Sequence, residues 1–256
     1  MAEAPSTATL YDDNARQWAR HDRVLLSDFT ARPFVLDALA PLNGAHVLDL
    51  GCGEGYVARQ IAALGAASLF GVDISAEMIQ NARRAVTPEG TCAMRFEVAD
   101  AASRTEFPRS TYDRIVAVFL FNYLTRAEMT AVLRCARELL APGGTFVFTV
   151  PHPCFPYMRA PSAPFYFDTQ GQNYFSGVDQ TYAGHIWRRD GAGVPVRCVH
   201  KTFADYFTAL AEAGFTALPD VVELRVTEEH VKLDPAFFSP LDGYPLHVLF
   251  RIVAPA

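Results

Sequence analysis

The chain reads as an α/β protein centred on a doubly wound, mostly parallel sheet, and three observations predict it. Five short apolar runs, at 47–50, 69–74, 94–98, 112–118 and 145–150, alternate with stretches of helical spacing. A glycine turn follows the first run directly, in HVLDLGCGEGYVAR at 46–59. Acidic or aromatic residues stand where several runs end, at the rim where sheets of this kind bind ligands.

Taken in order, residues 7–45 carry two helical patterns, Tyr11, Ala15 and Trp18-Ala19, then Phe34-Val35-Leu36 with Ala38-Leu39, ending at Pro41 and Gly44. Val47-Leu48-Asp49-Leu50 is a buried strand that breaks into Gly51-Cys52-Gly53-Glu54-Gly55 before helical spacing resumes over 56–64. The second run ends in Asp73, and Ser75 caps a helix over 76–86 that Thr87-Pro88-Glu89-Gly90 stops. A third strand at 94–98 precedes Ala99-Asp100-Ala101, and a fourth at 112–118 enters Phe119-Leu120-Phe121-Asn122-Tyr123-Leu124. An amphipathic helix over 126–140 turns at Ala141-Pro142-Gly143-Gly144 into the fifth strand.

The glycine turn suits a nucleotide-like ligand with a negative group. Gly51 and Gly53 place no side chain between backbone and ligand, and the next helix aims its unpaired N–H groups there. A dinucleotide fingerprint needs glycine at 56, where Tyr56 stands, so NAD fits poorly. Asp73, 22 residues after Gly51, suits a ribose diol, the alternative being a helix cap.

Composition narrows the classes further. In 256 residues, half of them apolar, there is material for one large core, with or without a lobe. A net charge of −6 with scattered basic residues argues against nucleic acid as a partner. The apolar runs are too short to span a bilayer and MAEAPSTATLYDD lacks the features of a secretory signal, so a soluble, cytoplasmic protein is expected. Cysteines at 52, 92, 135, 154 and 198 form no C-x-x-C pair, which suggests reduced thiols and no metal site.

Asp49-Leu50-Gly51-Cys52-Gly53 resembles the first motif of the class I S-adenosylmethionine-dependent methyltransferases. YDDNARQWAR, YDRIVAVFLFNYL and the segment from Val199-His200-Lys201-Thr202 to Ala213-Gly214-Phe215 also resemble that family, in its small-molecule members. The resemblance implies a seven-stranded Rossmann-like methyltransferase sheet, closed by antiparallel strands within 217–226 and 245–253. It implies S-adenosylmethionine as cofactor, leaving as S-adenosylhomocysteine, with Asp49, Gly51, Cys52, Gly53, Asp73, Ile74, Met78, Asp100, Ala101, Phe119 and Asn122 around it. Asp73 would take the ribose and Asp100 the adenine amino group, although Asp100 also suits a loop cap. Asn122 has three available roles: substrate, the cofactor's amino-acid part, or a helix cap. Tyr11 in the opening segment would close over the cofactor and Trp18 over the substrate, unless both simply form a core face.

Between 152 and 199 the pattern stops, with nine aromatics and ten glycines or prolines in 48 residues. Loops this long and apolar are usually functional, so this is an aromatic-rich cap inserted after strand five, with a hairpin of 182–187 and 194–199 turning near Asp190-Gly191. Tyr123, Phe155, Tyr157, Phe165, Tyr166, Tyr174 and Trp187 are the candidate substrate contacts, the alternative being an accessory sheet they merely pack. His152, His185 and His200 are candidates for a general base or substrate ligand, His200 with a structural alternative. Cys154 after Pro153 has surroundings unlike those of a cytosine-methylating nucleophile.

The expected organisation is therefore helices over the site at 1–45, a cofactor-binding core at 46–151, a cap at 152–199 and the rest of the core at 200–256. The expected reaction is methyl transfer to an oxygen or nitrogen of a small aromatic or heteroaromatic metabolite of specialised metabolism, by a monomer or homodimer. GVDISAEMI with FLFNYL looks like azapteridine and related ring-methylating enzymes. A cofactor-binding protein with a non-transfer reaction and an RNA or protein methyltransferase are the alternatives.

Overall fold

A computed structural model of the chain describes residues 6–86, 90–103, 106–158 and 164–255, so the expected helix stop at 87–89 lies outside the described residues. Ahead of the sheet lie α1 (Thr7–Trp18), α2 (Leu26–Thr30) and α3 (Arg32–Leu39). The alternating part runs β1 (His46–Leu50), α4 (Tyr56–Ala63), β2 (Ser68–Asp73), α5 (Ala76–Arg84), β3 (Ala93–Val98), β4 (Tyr112–Val118), α6 (Arg126–Leu139) and β5 (Leu140–Pro151). The insertion holds β6 (Phe165–Phe167), β7 (Thr181–Trp187) and β8 (Gly193–Val199). It is followed by α7 (Phe203–Glu212), β9 (Asp220–Leu224), α8 (Glu228–Leu233), α9 (Pro235–Phe238) and β10 (His247–Val253).

Seven strands form one sheet in the order β3-β2-β1-β4-β5-β10-β9. Strand order reverses between β1 and β4, and a doubly wound sheet opens its ligand crevice at such a point. β10 pairs antiparallel with both β5 and β9, as the closing strands were expected to pair. Alternation along the strands feeds two cores. Leu48 and Leu50 face α6 and α7, whereas Val47 faces α3 and α4.

Side-chain caps fix where helices begin. Ser75 Oγ accepts from the Met78 amide, and Thr202 and Asp205 form a reciprocal capping box at the start of α7. The expected turn at Ala141-Pro142-Gly143-Gly144 lies inside β5, as a register shift against β4 after Tyr112. The cap hairpin forms as β7 and β8, and β6 adds a third antiparallel strand. Phe155, Phe165, Phe167, Tyr182 and Val196 make a separate apolar cluster there with Leu26, Phe29, Phe238 and Leu241. The cap thus packs on α2 and α9, elements that no sequence pattern had indicated.

Candidate active site

The glycine loop after β1 forms the floor of the site. Gly51 has φ +73°, and a Cβ there would lie 3.0 Å from Leu120, so both conformation and space require glycine. Gly53 has φ +55° with open space where a Cβ would point. Amides of Gly51 and Cys52 donate to the Val72 carbonyl at 2.8 and 3.0 Å, bracing the loop on β2. The Gly53 amide donates to Asp73 Oδ2 at 2.8 Å, and the Ser75 amide to Oδ1 at 3.0 Å. Each Asp73 oxygen keeps a lone pair for a ligand hydroxyl.

Asp49 behaves differently. It is 1% exposed, and its Oδ2 has no hydrogen-bond partner among the described residues. Burial pushes its carboxyl up to about 7, helped by the nearby Asp73 carboxylate and opposed by Arg32. An unpaired buried carboxylate is costly, and a cationic ligand group relieves that cost.

Both carboxylates open on a cavity of about 430 Å³. All twelve residues expected around the cofactor line it: Tyr11, Asp49, Gly51, Cys52, Gly53, Asp73, Ile74, Met78, Asp100, Ala101, Phe119 and Asn122. They arrive from the ends of β1, β2, β3 and β4, together with α1 and α5. Asp100 also accepts from the Ala102 amide at 2.9 Å and from Ser103 Oγ at 3.1 Å, so the loop-cap reading holds beside its place in the wall. Asn122 is 5% exposed, and its Oδ1 has no partner among the described residues.

α1 closes one side. The Tyr11 hydroxyl donates to the Tyr123 hydroxyl, and Asp12 accepts from Ser75 Oγ at 2.5 Å and from the Glu77 amide at 3.2 Å. Trp18 packs against Tyr11 with ring centres 5.4 Å apart. Below α1, Arg20 binds Asp28 through two hydrogen bonds, of 3.1 and 3.0 Å, and reaches Glu54 at 3.3 Å. Arg32 adds a third bond to Asp28 at 2.9 Å, and Arg59 holds Glu54 at 2.8 Å. Burial alone would raise the Asp28 carboxyl, but Arg32 and Arg20 bring it below its ordinary range. This buried network ties the segment around α2 to the glycine loop.

The cap supplies the other end. Of the candidate substrate contacts, Trp18, Tyr123, Phe155, Phe165 and Trp187 line the cavity. Tyr157, Tyr166 and Tyr174 do not. Tyr157 donates to the Asn173 carbonyl at 3.0 Å, and the Tyr174 hydroxyl accepts from the Phe203 amide at 3.0 Å. Tyr166 alternates with Phe165 and Phe167 on β6, opposite the exposed His185. For these three, the accessory-sheet reading describes their place.

The histidine expectation needs correction, because none of the three candidates lines the cavity. His152 pairs Nε2 with Glu223 Oε1 at 2.8 Å and takes the Cys154 amide on Nδ1 at 3.1 Å, so both nitrogens are occupied. His200 is buried and bonded to the Tyr174 carbonyl at 2.8 Å. Burial lowers the basicity of both. His185 is exposed, with its ring centre 5.8 Å from that of Trp187. Cys154 also lies outside the cavity wall.

Polar residues of the wall that were missed include Arg32 and His247. Arg32 has a buried Nε without a partner, and His247, at the start of β10, has neither ring nitrogen bonded among the described residues. Both flank Phe119, with the Arg32 guanidinium 5.3 Å above its ring and the His247 ring centre 5.1 Å away at its edge. Phe119 itself holds φ 58°, a strained value for an aromatic residue and a frequent mark of functional sites.

This strand order, with a glycine loop and an acidic rim at the switch point, is the fold of the class I methyltransferases. A methyltransferase-domain family matches residues 47–144, so that segment of the chain is similar to methyltransferase domains. It is 37% identical over 142 residues to trans-aconitate 2-methyltransferase of Streptomyces avermitilis, covering 53% of this chain and 49% of that protein. It is 26% identical over 114 residues to a ubiquinone biosynthesis O-methyltransferase of Paracidovorax citrulli, covering 44% and 47%. The chain spans about half the length of the curated relatives it matches. An S-adenosylmethionine-dependent methyltransferase from Mesorhizobium loti shares the fold with a TM-score of 0.65 at 24% identity, over 86% of this chain and 96% of that one.

Among the described residues, no helix is long and apolar enough to cross a membrane.

Proposed function

We propose that the protein transfers the methyl group of S-adenosylmethionine to an oxygen or nitrogen of a small aromatic or heteroaromatic acceptor, as an enzyme of specialised metabolism. The observation that carries this reading is a single cavity, lined at one end by the glycine loop and its carboxylates and at the other by cap aromatics. Asp73 is assigned to the ribose diol and Asp100 to the adenine end. Asp49, with its unpaired Oδ2, suits the cofactor's positive charge, and Arg32, with its unpaired Nε, suits its carboxylate. Asn122 offers a further acceptor beside them.

The sulfonium supplies an activated methyl group when bound; the chain's task is to orient the two partners and exclude water. Closure by α1 and the cap serves that purpose, and holding reactants at near-attack distance can supply roughly 7–11 kcal/mol of the barrier. His152, His185 and His200 are not offered as bases, since none reaches the cavity.

The test supplies the purified protein with S-adenosylmethionine bearing an isotopically labelled methyl group and an extract of metabolites and macromolecules from the source organism. Mass spectrometry should find the label in a small aromatic molecule. Label in RNA or protein, or none despite measured cofactor binding, contradicts the proposal.

A further inference from the structure

The polar group that the site leaves least explained is His247. It is 4% exposed, lines the cavity, and carries two ring nitrogens with no partner among the described residues. Leaving a buried donor or acceptor unpaired costs stability, so a native residue that does so in a cavity wall points to a missing partner. His247 pairs in register with Pro151 on β5 and Leu224 on β9, which fixes the ring at the rim of the sheet.

Its surroundings define the kind of partner. Phe119 meets the imidazole edge-on, and Phe155 lies 5.7 Å away at 30°. Phe155 in turn stacks on Phe165 at 3.6 Å and 15°. This slot of the cavity wall is aromatic, with the His247 imidazole at the edge of Phe119 and the Arg32 guanidinium over the Phe119 ring. Burial pushes His247 down to about 3, with Arg32 and then His152 adding to the effect, so the ring is uncharged at neutral pH. A neutral imidazole offers one donor and one acceptor nitrogen; it attracts a carboxylate weakly and suits a hydroxyl, which can both donate and accept.

Resting on the proposed acceptor class, we infer that His247 is a substrate-binding residue, which hydrogen-bonds a hydroxyl of a planar aromatic acceptor lying in the slot of Phe119, Phe155 and Phe165. The acceptor class is thereby a phenol or hydroxylated heteroaromatic rather than an unsubstituted ring. His247 orients that hydroxyl, and its low basicity separates this role from that of a resting general base. Selectivity follows from the same wall, because an analogue lacking the hydroxyl leaves the buried nitrogen unpaired.

The experiment uses small probes that need no knowledge of the natural acceptor. Binding of 4-fluorophenol and of fluorobenzene is measured by fluorine NMR, with and without S-adenosylhomocysteine, for the wild type, His247→Leu and His247→Asn. The wild type should bind 4-fluorophenol on the order of tenfold more tightly than fluorobenzene, the value of about one neutral hydrogen bond in a buried site. His247→Leu should abolish the preference while keeping fluorobenzene binding, and His247→Asn should restore part of it. Equal binding of the two probes by the wild type, or an undiminished preference in His247→Leu, overturns the assignment. Should the leucine variant fail to fold, the nitrogen-15 shift of the wild-type His247 ring on adding 4-fluorophenol decides, and no shift overturns it. A wild type that prefers the phenol yet does not bind S-adenosylhomocysteine fails the proposed function, while the contact of His247 with a phenolic hydroxyl stands.

Discussion

At the scale of one residue, Asp49 ties the stability of the protein to pH. Its carboxyl is pushed from 3.8 up to about 7, so the stability it contributes to the ligand-free protein is fullest below pH 4 and is lost as pH rises towards 7, by up to about 4 kcal/mol. His247, lowered from 6.5 to about 3, works in the opposite sense: its contribution is lost as pH falls below 6.5. The wild-type profile mixes the two, and Asp49→Asn separates them. The variant's unfolding temperature should gain on the wild type between pH 4 and 7; a gap that stays constant across that range contradicts the account. The sequence exposed Asp49 because the motif that carries it is local. It hid Arg32 and His247, which reach the cavity from a helix before β1 and from the last strand, and no short motif joins them. It misplaced His152 because the side chain that occupies it, Glu223, lies 71 residues away.

At the scale of elements, strand ends were legible and side-chain facing in the cap was not. The five parallel strands and the hairpin at β7 and β8 follow from apolar runs bounded by turn residues. In β6 the period of two sends Phe165 and Phe167 inward and Tyr166 away, but the strand is three residues long, too short for its period to be read. Helix α1 is the element with a testable moving role. Its contact through the hydroxyls of Tyr11 and Tyr123 is a single hydrogen bond, worth about 1 kcal/mol. Tyr11→Phe should therefore release S-adenosylhomocysteine about fivefold faster in stopped-flow measurements, with an unfolding temperature lower by only about 2–4 °C. An unchanged release rate would detach α1 from closure of the site.

For the whole molecule, the site is held by charges that sequence alone does not assemble. Arg20, Asp28, Arg32, Glu54 and Arg59 join the segment over the site to the glycine loop. Asp28→Ala would remove the carboxylate shared by two buried guanidinium groups and should cost about 3–5 kcal/mol in urea unfolding, while Asp28→Asn keeps the shape and should cost less. Equal small losses for both would show that the network is not structural. The most direct test of the central claim, that this cavity holds the methyl donor, is a calorimetric titration of S-adenosylhomocysteine into the wild type and Asp73→Asn. The account predicts one-to-one binding to the wild type and affinity lower by roughly 10- to 150-fold in the variant, as expected for charge-assisted hydrogen bonds to a ribose diol. No binding to the wild type, or equal affinity for both proteins, would contradict it.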